Sequence, residues 1–278
     1  MSGAVPTPPT GDVAAPRRRA WVEQIMGMPI SIHLRGAASH HDAADAAVAA
    51  VFADLRAVDA IFSTYRADSD ISRCNRSELA LADCHPSVTE VVDLCEEAGR
   101  RTAGAFDAHL PAPGGGTWFD PSGLVKGWAT ERAAGHLARL ASDLGLDFCL
   151  NAGGDVVVGV GAGSSPSWRV GIEDPDHPRR IIGVVPVRAG GVATSGRAHR
   201  GDHILDPRTA RPARTLRAAT VTGPSLMWAD VYATAAIVTG PAVLEWIVAF
   251  PGYEALVVMP AGDVLATPAF PLEGQAEV

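Results

Sequence analysis

The sequence predicts an α+β fold, because long segments with helical spacing come first and short strand-like segments follow. In an α/β protein, helices and strands would alternate along the chain. Apolar residues recur at helical spacing in three segments of the first half, 42–62, 87–101 and 126–144. After residue 146, apolar runs are separated by turn residues, as in strands joined by loops. We therefore expect helices packed on mixed or antiparallel sheets, in two interlocked subdomains.

The first half of the chain predicts one strand, at 21–34, followed by the three helices. Ser39 precedes the first helix and is placed to cap it. Ser87-x-x-Glu90 forms a capping box at the start of the second helix. Gly104 follows the end of that helix, where glycine commonly stops a helix.

The second half predicts a series of strands with two helices near its end. The sequence Asn-Ala-Gly-Gly at 151–154 separates the first two strands and predicts a hairpin turn. The strands are expected at 146–150, 155–160, 168–172, 181–187, 191–194, 218–222 and 253–259, and the helices at 227–238 and 241–250.

Composition limits the classes of partner. The 278 residues are 47% hydrophobic and carry a formal net charge of −8. The chain can therefore bury a sizeable core, and it has no general electrostatic reason to bind nucleic acid or an anionic membrane. Its four cysteines show neither CxxC pairing nor metal-ligand spacing. They are expected to be buried small side chains in a reducing compartment.

The N-terminal segment has the composition of a tail. Residues 1–20 are rich in Pro, Gly and Ala and lack the apolar stretch of a signal peptide. We expect a disordered tail over 1–20, followed by one domain over 21–270. No uninterrupted apolar run reaches about 18 residues, which predicts no membrane insertion and a cytoplasmic protein.

The sequence contains two patterns that occur in active sites, a glycine-rich run and a serine followed by two histidines. The glycine-rich run at 153–163 is no dinucleotide-binding fingerprint, because Ser164 stands where a glycine is required and a strand follows it. Ser195, with His199 and His203 downstream, leaves a Ser–His hydrolase open as an alternative.

Three further features indicate chemistry. Lys126 is the only lysine among the 23 Lys and Arg residues, which favours a role for a compact ammonium over chance retention. Asp230 and Thr234 share one face of a predicted helix, and their oxygens suit Mg²⁺. The same pair also fits a helix-terminal carboxylate beside a packed threonine. The tract 201–209 carries His203, an Asp-Pro turn and an Arg, and it equally fits a structured turn.

Several short segments form an ordered series along about 22–260. They are Met-Gly-Met-Pro at 26–29, the Ser-x-Tyr and Ser-Asp-Ile-Ser stretch at 63–72, Thr-Ala-Gly-Ala-Phe-Asp at 102–107, Asp-Pro-Ser-Gly-Leu-Val-Lys-Gly at 120–127, Asn-Ala-Gly-Gly-Asp at 151–155, Ala-Thr-Ser-Gly at 193–196, His-Ile-Leu-Asp-Pro-Arg-Thr at 203–209 and Ala-Asp-Val-Tyr-Ala-Thr at 229–234. In this order they resemble the ApbE family of FAD:protein FMN transferases.

The resemblance implies a reaction and a site. The implied reaction is the Mg²⁺-dependent transfer of FMN from FAD to a threonine or serine hydroxyl of a target protein, with release of AMP. Asp230, Thr234 and a backbone carbonyl near Gly123 would bind Mg²⁺. The catalytic residues would be Asp230 and His203, the latter as an acid/base or phosphate-orienting group. The FAD site would be lined by Met26, Tyr65, Ala105, Phe106, Asp107, Asp120 and Lys126.

Other interpretations of the same residues remain. A Mg²⁺-dependent FAD pyrophosphatase would use water in place of the protein hydroxyl, and a non-catalytic flavin-binding protein would only hold the ligand. Without the resemblance, Tyr65 and Phe106 equally suit core aromatics, and Asp107 suits an ordinary turn.

The chain also departs from the family pattern. Met28 stands where threonine is usual, and Ala210 replaces a glycine. The segment at 108–119 is shorter than in the family. This length predicts a missing hairpin, which would open the flavin site or alter the docking of a protein substrate.

Overall fold

The computed structural model describes residues 17–111, 115–161, 166–177, 179–198, 201 and 204–273. Most of the predicted tail lies outside these residues, as do His199 and His203. The domain boundaries predicted at 21 and 270 stay a prediction.

The strands form one large sheet and three short pairs. In the described part of the chain they are β1 (Arg18–Ile25), β2 (Met28–Arg35), β3 (His109–Pro111), β4 (Thr117–Phe119), β5 (Asp147–Ala152), β6 (Asp155–Gly159), β7 (Trp168–Glu173), β8 (Ile181–Val187), β9 (Gly190–Gly196), β10 (Leu205–Asp206), β11 (Arg211–Pro212), β12 (Ala218–Gly223), β13 (Glu254–Val258) and β14 (Val264–Ala266). The large sheet is antiparallel, in the order β1-β2-β5-β6-β9-β12-β13-β14. The short pairs are β3–β4, β7–β8 and β10–β11.

Three long helices pack together on one side of the large sheet. The helices are α1 (Asp42–Phe62), α2 (Asp70–Asn75), α3 (Pro86–Arg101), α4 (Ser122–Leu144), α5 (Leu226–Thr239) and α6 (Val243–Trp246), with short 3-10 turns at Ala37–His40, Leu81–Asp83, Gly240–Ala242 and Ile247–Ala249. Helix α4 packs against both α1 and α5, and α5 lies on β9 and β12. Helices on a mostly antiparallel sheet confirm the predicted α+β class.

Both faces of the large sheet are buried at its centre. Strand β6 shows this, because successive side chains of a strand point to opposite faces. Val157 joins the main core under the helices, whereas Val156 and Val158 join a second cluster with Val185 of β8. The β7–β8 pair therefore covers the face that the helices leave free.

The predicted strand at 21–34 is instead a tight hairpin. Strands β1 and β2 pair across a turn at Met26 and Gly27, whose φ angles are 55° and 71°. A turn with two positive φ angles matches the twist of paired strands, but glycine or asparagine normally occupies both places. Met26 therefore holds a conformation that a side chain disfavours, and the surrounding structure must maintain it.

Helices α1 and α3 have nearly the predicted extents, but their N-terminal caps differ from the predictions. Helix α1 is capped by His41, whose side chain accepts a hydrogen bond from the backbone of Ala43, and not by Ser39. Helix α3 begins at Pro86 after His85, so Ser87 is already helical and forms no capping box. Histidine supplies a ring nitrogen as the acceptor in both places, an option that the usual list of capping residues omits.

The C-terminal part is less regular than predicted. The expected helix at 241–250 is divided into α6 and two 3-10 turns, and β14 follows the strand that was expected to be last. By length and mean hydropathy the segment Leu226–Ala249 is long and apolar enough to cross a membrane, and 56% of its most apolar window is buried inside the protein. The expectation of no membrane insertion stays a prediction.

The segment at 108–119 is short, yet it contains a hairpin. Strands β3 and β4 pair antiparallel, with Leu110 opposite Trp118. The expectation of a missing hairpin is therefore wrong. Two strands of three residues each pair here, and sequence length alone did not indicate this pairing.

Candidate functional site

A cavity of about 700 Å³ opens beside the N-terminal end of α4. This volume is typical of small-molecule sites. The cavity contains every residue predicted for the site except His203, which lies outside the described residues: Met26, Tyr65, Ala105, Phe106, Asp107, Asp120, Gly123, Lys126, Asp230 and Thr234.

An ammonium between two carboxylates lies at the deepest part of the site. Lys126 Nζ is 2.7 Å from Asp155 Oδ2 and 3.5 Å from Asp230 Oδ1. The two carboxylate side chains are 1% and 2% exposed, and the lysine side chain is 18% exposed. The single lysine of the chain therefore has a charged environment that a surface lysine lacks. With both carboxylates ionised, this cluster would carry a net negative charge in a poorly hydrated place.

The electrostatics of this cluster favour a further cation. Burial raises the pKa of Asp230 to about 8, the Asp155 carboxylate adds to this rise, and Lys126 opposes it. Asp155 Oδ2 is buried and close to the ammonium, yet it makes no well-directed hydrogen bond. A divalent cation next to Asp230 would offset the excess charge and stabilise the ionised carboxylate.

Helix α5 supplies the oxygen ligands that a cation would need. Asp230 and Thr234 lie one turn apart and both face the cavity. Thr234 Oγ1 is 3.1 Å from Ser195 Oγ, which reaches the cavity from β9. The described residues contain no group of three His, Cys, Asp or Glu side chains placed to hold a metal. The Asp230 carboxylate and the Thr234 hydroxyl are hard oxygen donors of the kind that suits Mg²⁺, which takes few protein oxygens when phosphates and water complete its shell.

Two glycines allow α4 to approach these groups. A Cβ atom on Gly127 would lie 2.9 Å from the Met227 Cα and 3.0 Å from the Asp230 Cβ. The close helix contact lets the Gly127 N–H donate to Asp230 Oδ2 at 3.2 Å, which orients the carboxylate. A Cβ on Gly123 would lie 3.1 Å from the ring of Phe106. A side chain at Gly127 would therefore push α5 away, and one at Gly123 would require the Phe106 ring to shift by a few tenths of an ångström.

Two other acidic side chains of the cavity, Asp107 and Asp120, hold turns. Asp107 Oδ1 accepts the backbone N–H of His109 at 2.8 Å, and Asp120 Oδ1 accepts that of Ser122 at 3.0 Å. The turn interpretation of Asp107 thus has a structural basis, and both carboxylates still line the cavity. They are available to a ligand through their second oxygens or after a rotation.

The two aromatic side chains of the site differ in environment. Phe106 is 4% exposed and belongs to the core while it lines the cavity. Tyr65 is 98% exposed, so it is no core aromatic. It stands at the cavity mouth, where an aromatic ring serves a ligand or a partner rather than folding.

Sequence reasoning missed two residues of this site. Asp155 belongs to the matched segment 151–155 but was not assigned to the site. Lys126, the only lysine, could have indicated it, because a buried ammonium requires a carboxylate partner. Ser195 was considered only as a nucleophile. In the structure its hydroxyl contacts Thr234, and the histidines proposed with it lie outside the described residues.

Comparison with known proteins identifies the family to which these segments belong. The model of the ApbE family matches residues 26–113 and 108–257, which include all the site residues described above. The chain belongs to the ApbE family.

Curated relatives of this ApbE chain are enzymes of one kind. The FAD:protein FMN transferase of Escherichia coli (strain K12) is 31% identical over 161 residues, which cover 54% of this chain and 45% of that protein. The FAD:protein FMN transferase of Rhodobacter capsulatus is 38% identical over 160 residues, which cover 54% of this chain and 30% of that protein. The chain thus spans less than half the length of the curated relatives it matches.

Solved ApbE structures share the fold over nearly the whole chain. The ApbE protein of Thermotoga maritima gives a TM-score of 0.78 at 22% identity, covering 92% of this chain and 100% of that one. The apo form of the flavinyl transferase ApbE of Pseudomonas stutzeri gives a TM-score of 0.73 at 24% identity, covering 93% and 98%. These likenesses establish the ApbE fold.

Proposed function

We propose that this chain transfers FMN from FAD to a threonine or serine hydroxyl of a target protein, with Mg²⁺ bound at Asp230 and Thr234. One observation carries the proposal. The predicted site residues in the described part of the chain line one cavity, where the buried Asp230 carboxyl lies beside Thr234 and close to Lys126 and Asp155. A cation there would stabilise the ionised form of Asp230 and attract a polyanionic pyrophosphate.

The reaction exchanges one bond to phosphorus for another. The acceptor hydroxyl oxygen forms a bond to the phosphorus on the FMN side of the pyrophosphate, and the bond from that phosphorus to the bridging oxygen breaks. AMP leaves with the bonding electron pair. The proton of the hydroxyl passes to a base, for which His203 remains our prediction. When bound, Mg²⁺ neutralises the charge that develops on the phosphate oxygens.

The residues of the chain hold the reacting groups in place. Asp230 and Thr234 provide the protein oxygens for the cation, and the backbone N–H of Gly127 fixes the carboxylate direction. Lys126 keeps the two carboxylates together and presents positive charge towards the cavity. Phe106 closes the site from within the core, which limits the access of water. The isoalloxazine would extend towards the mouth, where Tyr65 stands.

The decisive experiment is mass spectrometry of a flavinylation-domain substrate after incubation with the protein, FAD and Mg²⁺, with EDTA as control. A Mg²⁺-dependent gain of one FMN on a threonine or serine of the substrate is the expected result. Unmodified substrate with accumulating FMN and AMP would instead identify an FAD pyrophosphatase. FAD that is bound and never consumed would identify a non-catalytic flavin-binding protein. The cytoplasmic location and the absence of membrane insertion remain predictions from the sequence.

A further inference from the structure

Two thiols outside the cavity lie next to each other. The Sγ atoms of Cys74, in the last turn of α2, and of Cys84 are 3.0 Å apart. Both residues are half-buried, as is Cys149, so the prediction of four buried cysteines holds only for Cys95. We propose that Cys74 and Cys84 form a reversible disulfide that braces one wall of the flavin cavity.

The two sulfur atoms already lie close to bonding distance. A disulfide places its sulfur atoms about 2.05 Å apart, so the two atoms need to approach by only about 1 Å. The Asp70 carboxylate, at the start of α2, accepts the backbone N–H of His85 at 2.7 Å. This hydrogen bond holds the residue after Cys84 against α2. The crosslink therefore requires only a short approach of two thiols whose segments are already joined by a hydrogen bond.

The proposed step needs a small-molecule disulfide such as oxidised glutathione. The Cys74 thiolate attacks one sulfur of that disulfide and releases one small thiolate, which leaves a mixed disulfide on the protein. The Cys84 sulfur then loses its proton, attacks Cys74 Sγ and releases the second small thiolate. In total, two protein thiols are oxidised, one small disulfide is reduced to two thiols, and the exchange reverses with excess dithiol.

The position of the pair connects it to the cavity wall. Asn75, next to Cys74, donates to the Phe119 carbonyl and accepts the Phe119 N–H, both at 2.9 Å. Phe119 immediately precedes Asp120 of the cavity. At the other end of the segment, the Ser69 and Ser72 hydroxyls both donate to the Ser63 carbonyl, at 2.6 and 3.2 Å.

This wall is otherwise held by hydrogen bonds from a six-residue helix. A covalent bond at Cys74 would limit how far α2 can unfold or move away from the cavity. The proposal does not depend on the flavin chemistry, because the bond forms between residues that contact neither substrate.

The test is thiol counting on the folded full chain. The protein is equilibrated with oxidised glutathione or with excess dithiothreitol, then denatured, alkylated and digested with trypsin. Two of the four cysteines should lose reactivity in the oxidised sample. The peptides that end at Arg76 and begin at Ser77 should be joined through Cys74 and Cys84. The oxidised protein should also melt roughly 5–10 °C higher, because the crosslink restricts the unfolded chain.

Matched variants make the assignment specific. Cys95→Ser and Cys149→Ser should still lose two reactive thiols, whereas Cys74→Ser and Cys84→Ser should show no internal crosslink. Four alkylated cysteines, under conditions that fully oxidise a reference dithiol peptide, would overturn the proposal. A crosslink to Cys95 or Cys149 would overturn it as well. Both outcomes are independent of whether the protein transfers FMN.

Discussion

The deep end and the mouth of the cavity are built on different principles. At the deep end, Lys126, Asp155 and Asp230 are held by two neighbouring elements, α4 and β6, and by the core helix α5. At the mouth, Tyr65 is almost fully exposed and the β3–β4 hairpin is only two three-residue strands. The charged side chains are held in fixed positions where bonds to phosphorus would form and break. At the mouth, where a ligand and a protein partner would enter, the side chains are exposed and can change position.

This difference predicts where substitutions act. Changes at the deep end should affect the chemical step or the stability of the fold, because each side chain there is buried and paired. Changes at the mouth should affect the binding of substrates and leave the fold intact, because exposed side chains contribute little to stability. The following variants test this division.

The largest effect is expected for Asp230→Asn. The amide keeps the size of the side chain and an oxygen for the Gly127 N–H, but it removes the charge that a cation requires. Transfer of FMN should fall by about 10³-fold, as expected when the main stabilisation of developing charge is removed. Single-turnover transfer assays over a Mg²⁺ titration would measure it. Activity near that of the parent would contradict the assignment of the cation site.

A smaller loss is expected for Lys126→Met. Methionine retains the length of the side chain but leaves Asp155 and Asp230 facing each other without the ammonium. We expect a loss of about 10²-fold in transfer and of about 3 kcal/mol in the free energy of unfolding, since an unpaired buried carboxylate is costly. Urea denaturation and transfer assays on the same preparation report both quantities. Unchanged stability would show that solvent already screens the cluster.

Gly127→Ala tests the close packing of α4 on α5. The added methyl group would meet backbone and side-chain atoms of α5 at about 3 Å, so the helices must separate. A loss of about 2 kcal/mol in stability is expected, with about tenfold slower transfer as Asp230 shifts.

Gly135→Ala is the matched control for this variant in the same helix. A methyl group there would meet only the end of Arg139, at 4.0 Å. Helix propensity should then raise stability by roughly 0.5–1 kcal/mol. Thermal melts of Gly127→Ala and Gly135→Ala, measured in parallel, compare the two changes in stability. An equal loss of stability in both would show that any alanine in α4 is harmful, independent of the contact with α5.

The smallest effect is expected for Tyr65→Ala at the mouth. Because the side chain is 98% exposed, the free energy of unfolding should change by less than about 0.5 kcal/mol. KM for FAD or for the protein substrate should rise several-fold, and Tyr65→Phe, which keeps the ring, should behave like the parent. A large drop in kcat without a change in KM would show that Tyr65 acts in the chemical step, as the residues at the deep end do. It would contradict the proposed difference between the two ends of the cavity.

The sequence alone indicated much of this protein. Helices α1, α3 and α4 and most strands followed from local periodicity and turn residues, which act within a few positions of the chain. The ordered motifs indicated the family and the residues of the site, because such motifs are short and local. Lys126 and the Asp230–Thr234 pair were visible as unusual residue choices before any fold was considered.

The tertiary structure decided what depends on distant parts of the chain. The pairing of Lys126 with Asp155, the contact of Gly127 with α5 and the approach of Cys84 to Cys74 join separate elements or loops. Histidine caps and the turn at Met26 were likewise settled by neighbouring structure over local propensity. The physical reason is common to all of them. Burial, charge pairing and close approach arise only when the elements have assembled. The sequence can indicate that a residue such as a buried lysine needs a partner, but it does not indicate which residue that partner is.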